Sequence, residues 1–264
     1  LAVLLFIGPP GVGKTSLVKN LARFLYPGEK DALLTFNMSQ IQEKHGVSAL
    51  FGAPLGYIGQ EKGGLKVLTE NPYRVILLDE VDKTVPEARS ALLNLLEGVL
   101  TFPGEVANTE KVNLKNTYII LTANTEYKEI ENLLEKNSSI SDEEILRNIQ
   151  QQLYKELGEP LMSRVSPVIF RPISAMHNKK EILDIKIKES LEKIIDTDIV
   201  EIEESAKESL LKATDIRSME NQIKDSLIQP LSKLTYGLKE KQILKVTIRS
   251  ANQSDTLDIQ IEYS

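Results

Sequence analysis

Cysteine is absent from the 264 residues, which excludes disulfides, thiolate catalysis and cysteine-ligated zinc, and suits a reducing cytoplasm. Histidine is nearly absent as well. His45 and His177 lie far apart, without carboxylates at ligand spacing, and read as surface or capping residues rather than metal ligands. No apolar run is long enough to cross a bilayer, so no membrane partner is expected. An excess of positive charge is missing too: the formal charge is −6, and the lysines between Asn178 and Lys193 alternate with Glu and Asp. That pattern reads as a solvated helix face and argues against a nucleic-acid partner. The remaining composition, 41% hydrophobic and 27% charged, is that of a soluble chain able to bury one large domain or two unequal ones.

The first informative stretch is Gly8, Pro9, Pro10, Gly11, Val12, Gly13, Lys14 and Thr15, which fits G-x-x-x-x-G-K-[ST]. It lies between the apolar run Ala2 to Ile7 and a helical pattern starting near Thr15, the strand–loop–helix context of a nucleotide-phosphate site. Glycines allow positive φ, so successive N–H groups can turn onto β- and γ-phosphate oxygens at a helix N-terminus. Lys14 would add a point charge there, the Thr15 hydroxyl would ligate Mg²⁺, and Ser16 completes the binding segment. The expected cofactors are ATP or ADP with Mg²⁺. A second stretch, Val75 to Glu80, is an apolar strand ending in two acids. Asp79 can hold the Mg²⁺ water shell and Glu80 can polarise an attacking water, the acidic half of a phosphoryl-transfer site.

Short apolar runs at Ala2–Ile7, Leu33–Asn37, Val75–Asp79, Thr117–Thr122 and Pro167–Phe170 alternate with helical patterns. They predict an α/β fold with a parallel sheet between helices. One helix over Thr15–Leu25 has Leu17, Leu21 and Leu25 on one face; another starts at Pro86 and stops at Gly98 with Ala88, Leu92, Leu95 and Leu96 inward. Ser141 with Glu144 caps a third, with Ile145, Ile149 and Leu153 inward, which runs towards Leu157 and leads to Arg164. After Arg171-Pro172 the pattern changes to amphipathic helices, with stripes Leu183, Ile187, Leu191, Ile194 and Met219, Ile223, Leu227, Leu231, Leu234. Alternating Leu244, Val246, Ile248 and Leu257, Ile259, Ile261 then predict an antiparallel hairpin. The expected domains are 1–173, an ATP-binding large subdomain, and 174–264, a small α+β lid. Because Leu1 already lies inside the first strand, the chain is expected to be part of a longer protein.

From Phe6 to Leu231 the chain resembles the second ATPase module of ClpB-type disaggregases, in the Clp unfoldase group of the AAA+ superfamily. Beyond the two nucleotide motifs, the resemblance rests on Glu43 to Ser48, Gly52 to Gly59, Gly63-Gly64, Asp79 to Lys83, Leu121 to Asn124, and Ser163-Arg164 before Val168 to Pro172. It implies a P-loop AAA+ large domain with a lid, ATP hydrolysis and a homo-hexameric ring that threads unfolded or aggregated polypeptide through its pore. Because related modules pack a segment upstream of the first strand against the adenine, the resemblance also implies that this chain in isolation binds ATP weakly and turns it over slowly. Asn124, by itself a turn asparagine, then corresponds to the polar sensor that orients the lytic water or γ-phosphate. Arg164, by itself a surface arginine, corresponds to the arginine finger acting in trans on a neighbouring subunit. Arg217 corresponds to a second sensor arginine on the lid, although Asp215-Ile216 stands where the family usually has Gly-Ala. Gly56, Tyr57, Ile58 and Gly59, by themselves as easily a glycine turn around a buried ring, correspond to the substrate-gripping pore loop.

Two alternatives stay open. Protease-coupled unfoldases carry an apolar tripeptide with a central glycine between the first sensor and the finger; here only Leu157-Gly158-Glu159 is available, ending in a charge, which argues against a protease partner. A non-catalytic ring-assembly module that merely binds nucleotide would need neither Glu80 nor Arg164.

Overall fold

The computed structural model describes residues 1–29, 31–41, 50–51, 64–98, 100, 114–172, 179–213, 215–236, 243–251 and 257–263. Both histidines, the Gly56–Gly59 loop and most of the 43–63 motif lie outside the described residues. The chain divides into two compact units, Leu1–Arg171 and Pro172–Ser264.

The first unit is built on five parallel strands: β1 (Ala2–Ile7), β2 (Leu33–Asn37), β3 (Val75–Asp79), β4 (Tyr118–Ala123) and β5 (Ser166–Ile169), in the order β2-β3-β4-β1-β5. The central strands are apolar without alternation because both faces are covered: Val75, Ile76, Leu77 and Leu78 are all fully buried, as are Ile119, Ile120 and Leu121. Register decides where the chemistry falls. Ile7 pairs with Ala123, and Leu78 with Leu121, so the loop after β1, the acids ending β3 and Asn124 after β4 leave the sheet at the same edge.

Helices α1 (Lys14–Leu25), α2 (Pro86–Leu96), α3 (Tyr127–Lys136), α4 (Asp142–Leu157) and the single-turn α5 (Glu159–Met162) surround the sheet. In α2 the four expected residues are buried, Pro86 occupies the first turn, and Gly98 at φ 80° follows the helix end. In α4 Ile145, Ile149, Leu153 and Leu157 are buried, and the Ser141 hydroxyl accepts the Glu144 N–H at 3.2 Å. The inward face of α1 differs from the expected leucine stripe. Lys14, Val18 and Ala22 are buried, whereas Leu17 is 49% exposed. Lys14 must enter the loop that precedes the helix, and this fixes the rotation of α1, leaving Leu21 and Leu25 at the margin of the core. Two further elements lacked a sequence signal: α3, and α5, which intervenes between α4 and Arg164.

In the second unit, α6 (Lys179–Leu191), α7 (Glu204–Leu210), α8 (Ile216–Ile223) and α9 (Gln229–Tyr236) pack beside a three-stranded sheet. A π-helical turn, Lys224–Ile228, joins α8 to α9, keeping Met219, Ile223, Leu227 and Leu231 fully buried along one line; Leu234 is 46% exposed. The hairpin of β7 (Ile243–Ser250) and β8 (Leu257–Tyr263) is antiparallel as its alternation predicts. A third strand, β6 (Val200–Ile202), pairs parallel with β7 and extends the hairpin into a sheet.

Candidate active site

The loop after β1 is anchored by backbone packing. The Phe170 N–H donates to the Ile7 carbonyl at 2.7 Å, and a Cβ on Gly8 would fall 2.2 Å from the Phe170 carbonyl oxygen. No residue larger than glycine fits there. Gly11 and Gly13 adopt φ of 79° and 93°, which turns the chain tightly into α1. The first turn of α1 contains no acidic residue, leaving its N-terminal dipole available to an anion.

Lys14 is only 7% exposed, and its ammonium folds back over the loop. Nζ donates to the Gly8 carbonyl at 2.6 Å, the Pro9 carbonyl at 2.9 Å and Asn124 Oδ1 at 2.7 Å. Three acceptors satisfy its three protons, yet no described carboxylate pairs with it. Burial lowers its pKa to about 8, partly offset by the fields of Asp82, Asp79 and Glu80. A buried cation in a cradle of neutral oxygens is suited to an anionic ligand.

The acids at the end of β3 are held by a residue that sequence reasoning passed over. The Thr122 hydroxyl donates to Asp79 Oδ1 and accepts the Glu80 N–H at 3.0 Å, so one buried side chain from β4 fixes both positions. Its signals in the sequence are a hydroxyl within an apolar strand and a place in the Leu121–Asn124 stretch. Asp79 Oδ2 lies 3.5 Å from Thr15 Oγ1. These two oxygens, one from the first turn of α1 and one from the end of β3, form a hard-oxygen pair fit for Mg²⁺, which usually takes one or two protein ligands and completes its shell with water and phosphate. Among the described residues there is no group of three or more metal-ligating side chains.

Glu80 itself adopts left-handed geometry, φ 60° and ψ 48°, which directs its side chain away from the strand; Oε1 rests on Lys83 Nζ at 2.7 Å. Asn124 is fixed at both ends, its amide oxygen on Lys14 and its backbone N–H on Asp82 Oδ2 at 3.3 Å. Burial raises the pKa of Asp82, opposed by hydrogen bonds from its own backbone N–H and that of Asn124. Two hydrogen-bonded sets, Lys14 with Asn124 and Thr15 with Asp79, Thr122 and Glu80, thus meet at consecutive residues of α1.

Arg164 stands apart from that group. Its Nε donates to Glu97 Oε1 at 2.8 Å, Nη2 joins the same oxygen, and Nη1 binds the Pro160 carbonyl at 2.5 Å. None of its partners belongs to the phosphate loop. Arg217 is exposed in the first turn of α8, which is capped reciprocally by Asp215 and Ser218.

The model of the AAA domain (Cdc48 subfamily) matches residues 1–168. Chaperone protein ClpB of Bacillus anthracis is 37% identical over 215 residues, 79% of this chain and 24% of that protein. ClpB of Lactococcus lactis subsp. cremoris is 33% identical over 271 aligned positions, 98% of this chain and 30% of that protein. The chain therefore spans about a quarter to a third of the length of these relatives. Among solved structures, a closed-state cryo-EM reconstruction of Hsp104 with ATPγS and FITC casein superposes with a TM-score of 0.79 at 25% identity, covering 98% of this chain and 45% of that one. The extended S. cerevisiae Hsp104:casein complex gives 0.78 at 26% identity with the same coverages. With the glycine loop, the paired acids and Asn124 at the ends of adjacent strands of this sheet, the chain belongs to the AAA domain family (Cdc48 subfamily) and is a ClpB-type AAA+ ATPase module.

Proposed function

We propose that the chain is the ATP-hydrolysing motor module of a ring-forming protein disaggregase. The observation that carries the reading is the meeting, at Lys14 and Thr15, of two hydrogen-bonded sets, Lys14 with Asn124 and Thr15 with Asp79, Thr122 and Glu80, at the ends of three adjacent strands. Lys14 would leave the carbonyls of Gly8 and Pro9 for the β- and γ-phosphates, and the N–H groups of Gly11 to Ser16 would face the same oxygens. Thr15 and Asp79 would hold Mg²⁺, which supplies charge neutralisation at the phosphates when bound. Glu80 would orient and polarise the attacking water once released from Lys83, with Asn124 positioning that water from the β4 side. These residues position and neutralise, which is most of what phosphoryl transfer requires of a protein.

Arg164 would complete the site of a neighbouring copy in a homo-hexamer, since its own partners lie away from its own loop. Arg217 would serve as the lid's contact with nucleotide, residues 174–264 acting as that lid, and Tyr57 between Gly56 and Gly59 would grip unfolded or aggregated polypeptide in the pore. The ClpB relatives and the casein-bound Hsp104 structures support the threading reading. A cytoplasmic setting suits the lack of cysteine, and among the described residues no helix is long and apolar enough to cross a membrane.

A paired experiment on the assembled parent protein tests the reading. Glu80→Gln should keep nucleotide binding and reduce turnover at least about a hundredfold, whereas Tyr57→Ala should keep turnover and abolish threading of a fluorescent unfolded substrate. Parental turnover in Glu80→Gln, or loss of both activities together in a folded Tyr57→Ala protein, refutes the corresponding role.

A further inference from the structure

Two helices end against each other beside Arg164. α2 packs on α5, which brings Glu97, the residue after α2, to Arg164, just beyond the end of α5. The place of Glu97 breaks a local rule. A helix carries partial negative charge at its C-terminal end, where a cation is preferred, yet the last turn of α2 has no basic residue and a carboxylate follows it directly. Arg164 supplies the missing cation from 67 positions along the chain. Such a local conflict, settled from a distance, is characteristic of contacts kept for function. The backbone of Glu97 is fixed as well: its N–H donates to the Leu93 and Leu95 carbonyls, and Gly98 at φ 80° turns the chain away.

The bonds of Arg164 divide its guanidinium in two. Of its five N–H groups, one on Nε and one on Nη2 go to Glu97 Oε1, and one on Nη1 goes to the Pro160 carbonyl. The two that remain lie on the terminal nitrogens, and the one further acceptor among the described residues is Ser163 Oγ, at 3.3 Å from Nη1. A pair of N–H groups on the terminal nitrogens matches two oxygens of one phosphate. With 30% of the side chain exposed, the guanidinium is open to a ligand from outside the chain.

We propose that Glu97 is a positioning residue for the arginine finger: by holding the Nε–Nη2 edge of Arg164, it turns the remaining N–H pair towards the γ-phosphate bound to a neighbouring copy. This role rests on Arg164 acting as a finger in trans. An unheld arginine would have to be ordered at each encounter, whereas Glu97 and Pro160 order it beforehand. Because the pair is part-exposed, it adds little to stability, and its loss is read in turnover and not in unfolding.

Four variants of the assembled parent protein test this: Glu97→Ala, Glu97→Gln, Arg164→Ala and the double variant of Glu97→Ala with Arg164→Ala. Glu97→Ala should lower kcat at least about tenfold, with KM within about twofold and Tm within about 2 °C of the parent. Glu97→Gln keeps an acceptor oxygen in the same place and should stay within about threefold of the parental kcat. The double variant should be no slower than Arg164→Ala alone, since Glu97 acts only through that residue. Adding Lys14→Ala subunits, whose Glu97 and Arg164 are intact, to Glu97→Ala subunits should restore part of the turnover. With Arg164→Ala slow, so that the finger itself stands, any of four results overturns the positioning role: parental kcat in Glu97→Ala, an equal loss in Glu97→Gln, a double variant slower than Arg164→Ala, or no recovery in rings shown to contain both subunits. Parental turnover in Arg164→Ala removes the finger, and this role with it.

Discussion

Lys14 Nζ lies 2.7 Å from Asn124 Oδ1, a direct bond between residues 110 positions apart. The cation expected to meet phosphate is therefore held by the residue expected to orient water, and a change at either one is felt by the other.

The burial of Lys14 sets a pH dependence. Its folded pKa of about 8 lies below the ordinary 10.5, so below pH 8 the ammonium is charged in both states and folding bears the full cost of burying it. Between pH 8 and 10.5 the unfolded chain binds a proton that the folded chain has released, and this contribution to stability rises with pH. The separation corresponds to roughly 3 kcal/mol. The stability gained by Lys14→Met should be largest below pH 8 and shrink towards pH 10.5 in denaturant titrations; a gap independent of pH refutes it. Phosphates should reverse the effect, so nucleotide binding at pH 9 should take up a proton, visible as a buffer-dependent enthalpy.

Thr122→Val keeps the shape of the side chain and removes its hydroxyl. The Glu80 N–H then loses its partner, at a cost of about 1–3 kcal/mol, and Asp79 loses a donor. Nucleotide affinity should stay within about threefold while kcat falls roughly tenfold or more, since the hydroxyl positions the acids without touching phosphate. Unchanged kcat in a folded variant would remove Thr122 from the site.

The Arg164–Glu97 pair is part-exposed, 30% and 47% by side chain, and such pairs contribute about 0–1 kcal/mol. Arg164→Ala should leave the stability of the chain nearly unchanged yet reduce turnover of the assembled ring by about 10³. Mixing Arg164→Ala with Lys14→Ala subunits should restore part of that turnover. Its absence from rings shown to contain both would refute action in trans.

Gly8→Ala places a methyl group 2.2 Å from a backbone oxygen and 2.8 Å from the Phe170 Cβ. Neither atom can swing aside, so the variant should lose at least about 1–3 kcal/mol in chemical denaturation and bind nucleotide more weakly. A loss below about 0.5 kcal/mol would mean that β1 and β5 separate easily at this edge.

The sheet was legible in the sequence wherever a strand is buried on both faces. The runs at Ala2–Ile7, Leu33–Asn37 and Val75–Asp79 match the strands residue for residue, while β4 and β5 are displaced by one. Capping chemistry placed α4, because Ser141 announces its own helix. The three residues of β6 fell below any periodic signal, and α1 showed that an apolar stripe can be outvoted by one lysine with a task at its helix's first residue. At the site, residue types were legible and their ties were not. Lys14 to Asn124, Thr122 to Asp79 and Arg164 to Glu97 are set by strand order and helix packing over separations of 110, 43 and 67 residues.

Strand order also bears on how the molecule is made. β1 pairs only with β4 and β5, its register matching Ala2 to Tyr118 and Leu4 to Ser166. Once made, β1 must therefore wait for more than a hundred further residues before it has a neighbour, and closing so long a loop is slow compared with local pairing. Until then the glycine loop has no Phe170 to pack against and Lys14 has no Asn124. The glycine loop, which precedes β4 and β5 in the chain, is thus among the last parts of the unit that can form.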